Sequence, residues 1–199
     1  MSAKRAIDLL TASFGIVVLS PLLIVLAILI KVDSSGPIFF RQVRVGQHGI
    51  NFYIYKFRTM FADAEKKGID VSTIDDERIT TIGRILRSSK LDELPQLINV
   101  ISGNMSIVGP RPEVPKYVEK FKEEYDAILK VKPGITDFAS LEYRNENELL
   151  RGIENPEVVY LEIILPAKIA LYRRYLREQS MKTDMMLILK TIYSIVSRS

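Results

Sequence analysis

The chain has 199 residues, 47% of them hydrophobic, and a net charge of +4, which suits one catalytic unit with its own core. Cysteine is absent and His48 is the single histidine. Disulfides, thiol nucleophiles and thiolate metal sites are therefore excluded, histidine-based triads are disfavoured, and any metal should be a hard, oxygen-liking ion such as Mg²⁺.

Residues 9–30 carry no charge, and as a helix they run about 33 Å, long enough for a hydrocarbon core of about 30 Å. The positive balance fits an anionic membrane, a polyphosphate or nucleic acid, and this segment favours the membrane. The segment exceeds a signal-peptide core and lacks a convincing small-residue cleavage site, so it is expected to be retained. Ser20-Pro21 falls in its middle, where proline removes a backbone hydrogen bond and the serine hydroxyl can re-satisfy a freed carbonyl. Lys4 and Arg5 precede the segment, and Lys31, Arg41 and Arg44 follow it, drawing both ends to the cytoplasm. A re-entrant helix-break-helix hairpin, broken at Ser20 and Pro21, satisfies both features. A kinked spanning helix is the alternative that the residues leave open. Residues 1–35 then form the membrane part and residues 36–199 a cytosolic part.

Residues 38–45 and 52–58 are rich in β-branched and aromatic side chains around Gly46-Gln47-His48-Gly49, the pattern of a β-hairpin. Period-two alternation puts Phe52, Ile54, Lys56 and Arg58 on one face, with two cations side by side, though a solvated edge, the usual fate of strand lysines, is the simpler reading of the residues alone. Residues 61–76 are polar and predict a surface loop or short helix. Over residues 113–130, Val114, Val118, Phe121, Tyr125, Ile128 and Leu129 make the stripe of a packing helix, stopped at Lys132-Pro133-Gly134. Asn155-Pro156 opens a helix reaching about Gln179, bent or interrupted at Pro166. A last helix from about Met181 carries Met185, Leu189, Ile192 and Val196 on one side, suited to a membrane interface or to core packing.

The densest chemistry lies in Arg87-Ser88-Ser89-Lys90-Leu91-Asp92-Glu93 and Gly109-Pro110-Arg111-Pro112. A carboxylate attacks phosphorus only where the phosphate charge is neutralised, so adjacent acids bracketed by arginines suggest work on a phosphoanhydride. Ser89 to Asp92 also matches a capping box, which makes Asp92 a helix cap on the simpler reading. The same geometry would put backbone N–H groups and a positive helix end beside the acid, where phosphate also binds. Glu93 is then free to hold Mg²⁺, which commonly uses one or two carboxylates with phosphate oxygens. Arg111, held between two prolines, suits anion recognition or a structural ion pair.

The chain closely resembles the bacterial sugar transferase family, monotopic phosphoglycosyl transferases that load a sugar phosphate onto polyprenyl phosphate. The resemblance is carried by Lys4 to Asp8, Ser20-Pro21, Arg41-Gln42-Val43-Arg44-Val45-Gly46, Tyr55-Lys56-Phe57-Arg58-Thr59-Met60, Ile82-Gly83-Arg84-Ile85-Leu86-Arg87, Leu91 to Leu97 with Asn99-Val100, Gly103 to Pro112, and Lys132-Pro133-Gly134-Ile135-Thr136. Tyr175, Ser180 and Asp184 keep the family's spacing. The chain looks like the family's minimal catalytic form, without the extra N-terminal region of some members.

The resemblance implies that Asp92 attacks the β-phosphate of a UDP-sugar, expels UMP and holds the phosphosugar until polyprenyl (undecaprenyl) phosphate takes it up, a first membrane step of glycoconjugate or exopolysaccharide assembly. It implies that Glu93 assists with Mg²⁺, that Arg87 and Arg111 contact phosphates, and that Lys56 and Arg58 add positive field. It implies a re-entrant membrane helix and a mostly helical α+β catalytic domain with a β-hairpin and interfacial helices, seated on the cytoplasmic face of the bacterial inner membrane. Nucleic acid is not an expected partner, and homo-oligomerisation is left open. The sequence departs from the family at Asp137-Phe138-Ala139-Ser140, where many members have glycine and then tryptophan or leucine, and at Tyr172, where many have aspartate. Those departures leave the sugar and nucleotide contacts open, with Arg144 a candidate for substrate contact. Two competing functions stand beside this one: a non-catalytic basic membrane adaptor, and a glycosyltransferase that releases UDP.

Overall fold

The structure is a computed structural model that describes residues 3–62 and 76–197, the side chain of Val196 excepted. The polar segment expected over residues 61–76 lies outside the described residues except for its ends. The described residues are mostly helical, with two small sheets. Helix α1 (Ala3–Asp33) runs without interruption through Pro21, so the expected break into two helices is corrected. Pro21 has no N–H to offer Val17 O, and Ser20 Oγ donates to that carbonyl at 2.8 Å instead, which lets the helix continue.

Strands β1 (Phe39–Val45) and β2 (Asn51–Phe57) pair antiparallel with Val45 opposite Asn51. His48 and Gly49 turn the chain at positive φ. Helix α2 (Thr81–Ser89) is capped by Thr80, whose side chain accepts from Gly83 N–H. A Cβ on Gly83 would overlap the Thr59 carbonyl, so glycine is what allows α2 to lie against the end of β2. A 3-10 turn at Leu91–Glu93 leads into α3 (Gln96–Ile101).

Strand β3 (Ser106–Val108) pairs parallel with β4 (Gly134–Thr136), a pairing that the sequence pattern does not announce. Short strands without alternation give little signal. Gly109 and Gly134 make it feasible, because a Cβ on Gly134 would overlap the Gly109 backbone. The stripe expected as one packing helix is divided into α4 (Pro115–Lys120) and α5 (Lys122–Ile128). Phe121 between them leaves the helical region at φ −117° and ψ 38°.

Helices α6 (Phe138–Glu142) and α7 (Glu146–Leu149) follow. The helix opened by Asn155-Pro156 begins as α8 (Pro156–Val159), widens into a π-helical turn at Tyr160–Ile164, and continues as α9 (Leu165–Glu178). The anticipated disturbance at Pro166 is therefore absorbed by that wider turn. Helix α10 (Met181–Val196) is capped by Ser180, which accepts from Thr183 N–H. The largest core gathers Val114, Tyr117, Val118, Tyr125 and Ile128 against Tyr160, Ile164, Leu165, Ile169 and Tyr172.

Both ends of α1 are tied to the rest of the chain. Near its start, Lys4 pairs with Asp184 of α10, Arg5 Nη1 donates to Val100 O at 2.6 Å, and Asp8 accepts from Ser106 Oγ and Ile107 N–H. Near its end, Ile30 and Leu26 pack with Phe57 and Leu86, and Asp33 accepts from Ile82 N–H at 3.0 Å. Between these anchorages Ala12 packs with Val100 and Met105, but much of the helix is open: Phe14 and Val17 are each 71% exposed. Only 11% of its most apolar window is buried, far below what a soluble core helix would show. On α10, Met185, Leu189 and Ile192 are likewise exposed, so core packing is not what that stripe serves.

Candidate active site

Asp92 and Glu93 lie in the 3-10 turn after α2 rather than at the start of a regular helix. Lys90 creates this turn by adopting a left-handed conformation at φ 59°. Ser89 Oγ donates to the carbonyls of Ile85 and Leu86, so the capping-box reading is corrected: Ser89 closes α2. Asp92 is then not explained as a cap. It is 8% exposed, and its Oδ1 is buried with no hydrogen-bond partner. Burial pushes this carboxyl above the ordinary range, against the opposing pull of Lys56, Lys90 and Arg87. A buried carboxylate oxygen without a donor is costly, and a nucleophile needs such a free lone pair.

Glu93 presents the opposite case. Arg111 Nη1 donates to its Oε2 at 3.0 Å and Nη2 to its Oε1, while Lys56 Nζ donates to Oε1 at 2.8 Å. Burial favours the neutral acid, but these two cations hold the Glu93 carboxyl well below the usual carboxylate range. Arg111 reaches it from Pro110-Arg111-Pro112, the segment leaving β3. Lys56 reaches it from β2, where Phe52 and Ile54 are buried on the face that period-two alternation predicts.

Arg87, in the last turn of α2, donates from Nε to Thr59 Oγ1 at 2.8 Å, and Asp92 is the foremost opposite charge it feels. The sequence reading passed over Thr59, although it stands within the motif from Tyr55 to Met60. The remaining two cations are turned elsewhere. Arg58 donates to the carbonyls of Ile30, Ser34 and Ser35 and so closes the end of α1. Arg144 donates to Ser194 O of α10. Both nevertheless line the same cleft as Lys56, Arg87, Asp92, Glu93 and Arg111, a volume of about 970 Å³, ample for a nucleotide-sugar. Ser20 and Pro21 are remote from it, within α1.

The expected magnesium site is consistent in donor chemistry, with Glu93 beside the unpartnered Asp92 oxygen. Among the described residues no three His, Cys, Asp or Glu side chains stand together as a metal cage. A cation here would depend on substrate oxygens, as Mg²⁺ commonly does, and Glu93 would have to give up Lys56 or Arg111 to receive it.

A buried carboxylate whose Oδ1 has no hydrogen-bond partner thus lines a cleft together with Lys56, Arg58, Arg87, Arg111 and Arg144, in a chain whose first helix is long and apolar enough to cross a membrane. Residues 1–198 match the family described as bacterial sugar transferase, and the chain belongs to that family. It is similar to UDP-glucose:undecaprenyl-phosphate glucose-1-phosphate transferase of Escherichia coli (strain K12), 36% identical over 96% of this chain and 39% of that protein. The protein of the same name in Caulobacter vibrioides is 34% identical over 98% of this chain and 70% of its own length. UDP-N-acetylgalactosamine-undecaprenyl-phosphate N-acetylgalactosaminephosphotransferase of Aeromonas hydrophila is 41% identical over 69% of this chain and 33% of that protein. The chain thus spans about two fifths or less of the Escherichia coli and Aeromonas relatives.

Proposed function

We propose that the protein transfers a sugar 1-phosphate from a UDP-sugar to undecaprenyl phosphate, releasing UMP, with Asp92 as the covalent nucleophile. The observation that carries this reading is the unpartnered Asp92 oxygen beside the Lys56–Glu93–Arg111 cluster. The incoming diphosphate replaces Glu93 as the partner of Lys56 and Arg111, so that its charge is neutralised as Asp92 approaches the β-phosphorus. The Asp92–phosphorus bond forms as the bond to UMP breaks. Undecaprenyl phosphate then displaces Asp92 from the same phosphorus. Arg87, braced on Thr59 and lining the same cleft, adds a further cation for the phosphates. Arg58 and Arg144 contribute charge to the cleft while holding α1 and α10. Glu93, released from its cations, would hold Mg²⁺, which when bound supplies further neutralisation of phosphate charge.

The nucleotide product separates this function from its rivals. Incubated with a panel of UDP-sugars and undecaprenyl phosphate, the protein is expected to release UMP. Release of UDP would indicate sugar transfer without its phosphate, and no turnover with any of them would favour a membrane adaptor.

The reading extends to placement at the cytoplasmic face of the inner membrane, with residues 1–35 as the membrane part and residues 36–199 as the catalytic part. Two anchorages on one body, at Lys4, Arg5 and Asp8 and again at Ile30 and Asp33, support a helix that enters and leaves the same leaflet. The exposed α10 stripe suits the interface beside it. Cysteines introduced at Ala3 and Ser35 of this cysteine-free chain should both react with a membrane-impermeant thiol reagent from the cytoplasmic side. Labelling from opposite sides would establish a spanning helix.

A further inference from the structure

Beyond Arg111 the cleft has a second polar wall that phosphoryl transfer does not use. Glu113 follows Arg111 across Pro112 and accepts from Tyr160 Oη at 2.9 Å, with Arg44 Nη1 3.6 Å from the same carboxylate oxygen. Lys168 Nζ donates to Glu146 Oε2 at 2.8 Å and reaches Tyr160 Oη at 3.4 Å. These side chains come from β1, the segment after β3, the π-helical turn, α9 and α7. All of them line the cleft.

A purely structural network would be expected to close on itself, since buried polar groups are normally paired. This one does not. Arg44 Nε and Ser140 Oγ, on residues that also line the cleft, are buried without a hydrogen-bond partner. Lys168 is only 5% exposed, and its ammonium makes two hydrogen bonds and lies 5.1 Å from the centre of the Tyr160 ring. The wall therefore offers carboxylate acceptors interleaved with ammonium, guanidinium and hydroxyl donors. Neighbouring ring hydroxyls, each able to donate and accept, complement that alternation.

Its position favours the sugar over the nucleotide. Arg111 and Glu113 are two residues apart, at most about 7 Å along an extended chain, the scale of a hexose between its anomeric phosphate and its far hydroxyls. Thr59, Arg78 and Arg87 also line the cleft, and in this reading they are left to the departing nucleotide.

We propose that Glu113, Ser140, Glu146, Tyr160 and Lys168 recognise the hydroxyl groups of the sugar joined to the diphosphate and determine which sugar is transferred. The proposal rests on the phosphoglycosyl transfer reading and adds a specificity site to it. Ser140 lies in the stretch where the sequence departs from the family pattern, so a contact there would be particular to this chain.

The test uses the full-length protein in detergent, with equilibrium binding of UDP, UDP-glucose, UDP-galactose, UDP-N-acetylglucosamine and UDP-N-acetylgalactosamine. Glu146→Gln and Ser140→Ala each change a single polar atom on residues that are not fully buried, and are expected to keep the fold. Each is expected to weaken the preferred UDP-sugar by about tenfold or more, with UDP affinity held within about twofold, and to narrow the preference among the four sugars. Lys168→Met should do the same more strongly, with retained UDP affinity as its check on folding. Parallel loss of UDP and UDP-sugar affinity would place the nucleotide at this wall and overturn the proposal. Unchanged UDP-sugar affinity and preference in Glu146→Gln and Ser140→Ala, in a protein whose wild type releases UMP, would overturn the specificity site alone. A wild type that binds none of the four UDP-sugars would overturn both readings.

Discussion

Asp92→Asn is expected to lower phosphosugar transfer by at least about a thousandfold, while making the folded protein more stable at neutral pH. The two effects share a cause. Burial raises the Asp92 carboxyl above its ordinary range, and its Oδ1 has no donor, so ionising it costs the folded state more than the unfolded chain. The amide removes that charge and should gain on the order of 1 kcal/mol. The sign follows from linkage: the penalty is absent below the unfolded carboxylate value, where Asp92 is protonated in both states. It grows as pH rises through that value and is complete above the raised folded one. Thermal unfolding of both proteins across pH 4–8 checks this, and the stabilisation should disappear at the acid end. In the wild type, the acid limb of activity should likewise fall at a higher pH than an ordinary carboxylate would give.

Arg111→Met is expected to abolish turnover and to destabilise the fold by about 3 kcal/mol, because it leaves a buried carboxylate with Lys56 as its remaining partner. Adding Glu93→Gln should recover much of the stability but none of the activity. That outcome separates the structural ion pair from the catalytic role: in the double variant no carboxylate is stranded at position 93, and Lys56 keeps an amide acceptor there with Asp92 as its nearby opposite charge, yet nothing bidentate remains for phosphate. Chemical unfolding of the two single variants and the double variant, read as a mutant cycle, measures the coupling. In the wild type, the stabilisation due to Glu93 is present above the unfolded carboxylate value and is lost only as pH falls through the depressed folded value.

Much of the site was legible because its residues are close in sequence or carried on rigid local frames. Asp92 and Glu93 are adjacent, Arg87 is one turn of chain away, and Pro110 and Pro112 fix Arg111. The hairpin announced itself by alternation around a glycine-rich turn, and the apolar run of α1 by its length. What could not be read was set by long-range packing. The opposite fates of two neighbouring acids depend on Lys56 and Arg111 arriving from separate elements to saturate Glu93 and leave Asp92 bare. Arg58, aligned with Lys56 by strand period, turns instead to the end of α1, where the carbonyls of Ile30, Ser34 and Ser35 accept its N–H groups, as helix ends leave carbonyls to be satisfied. The β3–β4 pairing and the polar wall around Tyr160 join residues far apart in the chain, and no local pattern signals them. The capping-box motif failed for a local reason: Lys90 goes left-handed and ends α2 before Asp92 is reached.

The most direct test of covalent transfer through Asp92 is intact and peptide mass spectrometry of the purified protein incubated with its UDP-sugar and no lipid acceptor. One phosphosugar mass should appear on the peptide containing Asp92, with about one UMP released per active site, and Asp92→Asn should show neither. A wild type that never carries the adduct and releases UMP only when undecaprenyl phosphate is present would contradict the account, making direct attack by the lipid phosphate the mechanism.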